Sequence, residues 1–104
     1  MTNLFDDLPV RADGEIFTEV LSRENVRIER IVSMGQSTPA DRPFSQGHDE
    51  WVLLLAGSAG LRIEGEGERT LHPGDHAFIA AHRPHWVTWT AKDRQTIWLA
   101  VHFG

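Results

Sequence analysis

Turns punctuate this chain so closely that no long helix has room to form. Gly57-Ser58-Ala59-Gly60, Glu64-Gly65-Glu66-Gly67-Glu68, Pro73-Gly74, residues 81–84 and Lys92-Asp93-Arg94 are all rich in turn-forming or charged residues. They recur at roughly the 8–12-residue spacing of short antiparallel strands. An isolated helix needs roughly 12–15 residues to be even marginal in water, and these intervals do not supply them. The one helical candidate, Leu4-Phe5-Asp6-Asp7-Leu8, is stopped by Pro9, whose ring cannot continue a helix.

Between the turns the side chains alternate, as strands require. Residues 16–21 form a first run, and Val26-Arg27-Ile28-Glu29 alternates apolar with charged. The alternation slips at Arg30-Ile31-Val32, which predicts a bulge or a strand covered on two surfaces. Residues 36–47, with Pro39 and Pro43, read as a loop with extended pieces. Trp51-Val52-Leu53-Leu54-Leu55 is continuously apolar, so both faces of that strand are expected to be covered. Gly57-Ser58-Ala59-Gly60 predicts a hairpin into Leu61-Arg62-Ile63. Pro73-Gly74 fits the centre of a type II turn, where glycine supplies the positive φ. Strands follow over 76–80, 85–90 and 95–103; in the last, Trp98, Ala100 and His102 share one face. The expected class is an all-β barrel or sandwich.

At 104 residues the chain is expected to form a single domain, burying roughly 60–70% of its unfolded surface, with residues 1–14 as an N-terminal arm. Ten basic against 15 acidic residues give a net charge of −5. The basic residues are scattered, and nucleic acid or an anionic membrane surface is therefore not an expected partner. No apolar run approaches the roughly 20 residues of a membrane span. The acidic start, Met1 to Asp7, shows no basic-then-apolar leader, so the cytoplasm is the expected location. There is no cysteine, which excludes thiolate metal sites and cysteine nucleophiles.

Three features stand in fixed order. Glu50 is followed after six residues by Gly57; then comes Pro73-Gly74-Asp75; then Ala80-Ala81-His82-Arg83-Pro84-His85. Together they resemble the two motifs of the cupin family, over about residues 35–103. The run Asp49 to Leu55 and the ending Trp98 to Phe103 are similar to small single-domain bacterial cupins. The resemblance implies a single-domain antiparallel jelly-roll β-barrel, commonly a homodimer, with a divalent metal inside. Two His and one Glu of the first motif, and one His of the second, hold the metal in that family. Carried over position by position, Glu50 and His85 match. Gln46 and Phe44 stand where the two first-motif histidines would be, Trp89 where the second motif has Asn, and His82 where it has Gly.

His48 shares the parity of Glu50, so an inward turn would put its imidazole beside that carboxylate. His48, Glu50 and His85 would then form a two-His, one-carboxylate set of the kind that holds non-heme iron. The expected metal ligands are thus Gln46, His48, Glu50 and His85, for Fe, Mn, Ni or Zn, with Glu50 and His85 as the catalytic pair. The competing reading leaves His48 solvated and Glu50 a satisfied buried carboxylate. Phe44, Val52, Leu54, Val87 and Trp89 are expected to line an apolar pocket for a small molecule; alternatively Trp89 fills the barrel. Three functions remain open: a metal-dependent enzyme on a small organic substrate, a metal-free binding or sensor module, and a metal-free acid–base enzyme working through Glu50 and His85.

Overall fold

A computed structural model describes residues 2–10 and 14–104. Eight strands follow in order: β1 (Ile16–Arg23), β2 (Val26–Ser33), β3 (Asp49–Ala56), β4 (Ala59–Ile63), β5 (Arg69–Leu71), β6 (His76–Ile79), β7 (His85–Thr90) and β8 (Thr96–Phe103). They form a five-stranded sheet, β1-β2-β8-β3-β6, and a three-stranded sheet, β5-β4-β7. Every pairing is antiparallel. The chain changes sheet after β3, β5, β6 and β7, which is the winding of a jelly roll. Residues 38–44 run beside the outer edge of β7: Phe44 and His85 exchange backbone hydrogen bonds of 2.9 Å, and the Thr38 N–H donates to Val87 O at 2.8 Å. The loop expected over 36–47 therefore supplies part of the smaller sheet's edge. Residues 1–14 were expected as an arm; residues 1 and 11–13 of it lie outside the described residues.

Alternation sets what faces inward. Arg27, Glu29 and Ile31 of β2 pair with His102, Ala100 and Trp98 of β8, which pair in turn with Glu50, Val52 and Leu54 of β3. Because side chains alternate across the sheet, these three rows share the inner face. The core lies at their apolar end, where Leu54, Ala59, Leu61, Leu71 and Trp98 are buried. Pro73-Gly74 forms the expected turn: the Asp75 N–H donates to His72 O at 2.9 Å and Gly74 has φ +96°.

Two sequence expectations are corrected, and of the two readings of the slip at Arg30 the strand covered on both surfaces is the one found. Residues 4–7 form a turn, and the 4–8 segment is no helix. Their backbone is instead tied to β2: the Arg30 guanidinium donates to Leu4 O at 3.1 Å and Asp6 O at 2.6 Å. That explains the slip at residue 30. β2 keeps one unbroken register with β8, and Arg30 is buried on its outer face beneath the N-terminal turn; the bulge lies in β1, between Glu19 and Leu21. Gly57-Ser58 turns the chain but closes no hairpin, because β3 and β4 lie in different sheets. Hydrogen bonds from a charged donor contribute about 1.5–3 kcal/mol, so Arg30→Met is expected to cost about that much in urea unfolding and to expose residues 2–10 to protease.

Candidate functional site

The two sheets enclose a cavity of about 310 Å³, at the small end of the roughly 300–1,000 Å³ of small-molecule sites. Its walls are mostly apolar: Val52, Leu61, Ile79, Val87 and Trp98 come from five strands, Ile31 and Phe17 from two more. Polar groups gather toward one end. Glu50 comes from β3, His85 from β7, and Gln46 from the loop before β3. Glu29 and Arg27 of β2 and His102 of β8 also reach the cavity, with Glu15 near its rim.

Glu50 and His85 are 7% and 5% exposed, so water does little to solvate them. The Gln46 side-chain amide donates to Glu50 Oε1 at 2.6 Å. His85 Nε2 stands 3.6 Å from the same oxygen. Its other nitrogen, Nδ1, lies 3.0 Å from Arg83 O. A carbonyl only accepts, so Nδ1 carries the proton there. In the neutral ring Nε2 is then a lone pair aimed into the cavity beside a carboxylate. Phe44 stacks on the His85 ring, with centroids 5.7 Å apart and planes at 29°, which holds the imidazole in orientation.

Gln46, Glu50, His85, Phe44, Val52 and Val87 are therefore brought to one cavity. His48, Leu54 and Trp89 do not line it, and each for a physical reason. His48 keeps the parity expected of it, but two residues along a strand is roughly 6.6 Å. Its Nε2 reaches His102 Nδ1 at 2.9 Å, with the rings edge to face at 4.9 Å. Leu54 is completely buried in the core below the cavity. Trp89 is turned outward by a bulge: Val87 pairs with Leu61 and Trp89 with Gly60, leaving Thr88 as the extra residue. One inserted residue reverses every inward and outward assignment beyond it. The Trp89 indole lies over Gly60, where an added Cβ would strike it and the Thr88 hydroxyl. Trp89→Phe is accordingly expected to leave cavity binding unchanged in a titration of any cavity ligand.

Sequence reasoning missed Glu29, Arg27, Trp98 and His102 as wall residues. A signal existed: His102 shares its strand face with Trp98, and three alternating residues of β2 point to one side. It could be read only once β8 was known to lie between β2 and β3.

Two motif positions carry backbone constraints. Gly57 has φ +84°, and a Cβ there would lie 2.5 Å from Thr96 Oγ1 and 2.7 Å from Gln95 O. His82 adopts φ +65° at the position where the second motif has glycine. A domain model described as "Cupin domain" matches residues 30–102. The chain belongs to the cupin family. This cupin is 44% identical to a Ralstonia eutropha JMP134 protein provisionally named mannose-6-phosphate isomerase, across 99% of this chain and 96% of that one, with a TM-score of 0.95. It also resembles the TT1209 protein of Thermus thermophilus (22% identity, 99% and 95% coverage, TM-score 0.81). A cupin superfamily protein of Desulfitobacterium hafniense DCB-2 follows at 18% identity, 92% and 83% coverage and TM-score 0.76. No curated protein matches the chain.

Cupins commonly bind metals, and the donor set decides whether this cavity fits one. Structural and catalytic sites for zinc, for example, use three or four strong protein ligands. Here Glu50 and His85 are two, and Gln46 turns its amide N–H to Glu50. The first-motif position at 44 holds a phenyl ring, and the His48 imidazole is engaged by His102. Among the described residues no group of three or more His, Asp or Glu is placed to hold a metal. The side chains as arranged do not fit the family's metal.

Proposed function

We propose that this cupin binds a small, largely apolar organic molecule in its cavity and exchanges a proton with it through Glu50 and His85. One observation carries this reading: a buried carboxylate and an imidazole lone pair face each other at 3.6 Å in a cavity walled mainly by hydrocarbon. A general base must lie within hydrogen-bond reach of the proton it takes. His85 Nε2 is free to accept one, while its Nδ1–H is held by Arg83 O. The imidazolium so formed is stabilised by Glu50, which Gln46 keeps in place, and it returns the proton to a neighbouring atom of the same ligand. Such a shift is an isomerisation, and the provisional name of the Ralstonia protein supports that class.

Electrostatics narrows the ligand. Among the described residues the cavity presents one cation, Arg27, against the carboxylates of Glu15, Glu29 and Glu50. A phosphate dianion meets more repulsion than attraction there, so mannose 6-phosphate is expected not to bind in a calorimetric titration. A neutral ligand, such as a small ketone or lactone, meets no such barrier.

The test is a fragment screen by ligand-observed NMR on untagged protein, treated with chelator and then offered Fe, Mn, Ni or Zn in turn. Fragments are expected to bind the chelated protein, to be lost in Glu50→Gln and to be kept in His85→Gln, which removes the base but leaves the cavity walls. Binding that disappears with chelator and returns with one ion would overturn the reading in favour of a metal enzyme. Pairing of two copies is also proposed, supported by exposed Val20 and Leu21 on β1, an edge strand with unpaired backbone groups. Light scattering is expected to give twice the mass of the chain.

A further inference from the structure

Outside the Glu50–His85 pair, three more groups form an unbroken hydrogen-bonded line. Glu29 Oε1 lies 2.8 Å from His102 Nε2, and His102 Nδ1 lies 2.9 Å from His48 Nε2. The two ends open to different places. Glu29 lines the cavity; His48 lines an adjoining surface groove, together with Arg23, Asn25 and Gly104; the largely buried His102 stands between them and borders both. His102 is 8% exposed and stands between Arg27 of β2 and Glu50 of β3 in the strand register.

The hydrogen-bond roles follow from chemistry. An ionised carboxylate only accepts, so His102 Nε2–H donates to Glu29. In the neutral ring Nδ1 is then an acceptor, and His48 Nε2–H must be its donor. Every bond in the line points the same way, from the groove to the cavity.

We propose that Glu29, His102 and His48 form a proton path between the cavity and the surface groove. A proton arriving at His48 Nδ1 forms a new N–H bond there. The His48 Nε2–H bond breaks as that proton passes to His102 Nδ1, and the His102 Nε2–H bond breaks as its proton passes to Glu29 Oε1. Each ring gains one proton and loses one, and the carboxylate becomes a carboxylic acid facing the cavity. The reverse sequence returns the proton to solvent. The use of this path rests on the proton chemistry proposed for the cavity; its existence does not. His102 is thereby a positioning residue that hands protons on.

The test uses the whole chain with ¹⁵N-labelled histidine. Two-bond ¹H–¹⁵N spectra of the wild type are expected to show both His102 and His48 protonated on Nε2. In His48→Gln the amide still donates to His102 Nδ1 but cannot accept one proton while releasing another. Exchange of the His102 Nε2 proton with water is expected to slow by about a hundredfold, the lower end of what a positioned proton carrier contributes, with the unfolding midpoint unchanged. Wild-type His102 protonated on Nδ1, or an exchange rate unaltered by His48→Gln, would overturn the path. Should the variant not fold, the wild-type tautomers alone decide. Fragment binding in the Glu50 variant and ligand exchange in the His85 variant bear on the cavity reading and leave this exchange rate untouched, so the two can fail separately.

Discussion

His85→Gln is expected to slow proton exchange between a bound ligand and solvent by about 10²–10⁴-fold, the usual contribution of a positioned acid–base group. The measurement is deuterium uptake from D₂O into a fragment identified in the screen. Glutamine fills much of the imidazole volume and its amide N–H can still donate toward Arg83 O, the partner of His85 Nδ1 at 3.0 Å. What it cannot supply is the lone pair of a base at the position 3.6 Å from Glu50 Oε1. The stack with Phe44 is weakened, at a small cost in stability. A variant that folds, binds the fragment and exchanges slowly marks His85 as the proton carrier. A variant that exchanges at the wild-type rate places the chemistry on another group.

Gly57→Ala is expected to be among the most damaging single substitutions for the fold. A left-handed backbone costs a non-glycine residue of order 1–3 kcal/mol, and φ here is +84°. The added methyl would also lie 2.7 Å from Gln95 O and 2.7 Å from Thr96 Cα. Those are backbone atoms of the β8 entry and cannot swing aside. Overpacking of this kind adds about 1–3 kcal/mol, so urea unfolding is expected to show a loss of about 2–6 kcal/mol. That is a large share of the roughly 5–15 kcal/mol that holds a domain folded. Gly74→Ala separates the two contributions. Gly74 has φ +96° but nothing within 4 Å of its added Cβ, so only the backbone cost remains.

Local chemistry was legible in the sequence. The Pro73-Gly74 turn and the alternating faces of β8 follow from spacing and parity within one short segment, and the approach of Glu50 to His85 is what the resemblance to the cupin motifs implies. What escaped depends on how segments meet. Parity along β7 predicts Trp89 inward, and the single extra residue at Thr88 reverses it. The sequence signs of that bulge are slight: a glycine at position 60 and a bulky indole that needs room. Arg30 looks like a break in the pattern because its partners, the carbonyls of Leu4 and Asp6, lie more than twenty residues away. His48 takes His102 as its partner, and nothing near it in sequence announces His102 on a strand that inserts between β2 and β3.

The most direct discrimination between a site and a packing element is the thermal unfolding of Glu50→Gln. Glutamine keeps the size of the side chain and an oxygen to accept from Gln46, while removing the charge. If Glu50 is held for a ligand, its buried charge is a strain on the empty fold, and the variant is expected to unfold at or above the wild-type midpoint. If Glu50 and His85 instead form a structural ion pair, removing one partner costs about 3–5 kcal/mol. A fall in midpoint of that size would contradict the assignment of this pair to ligand chemistry.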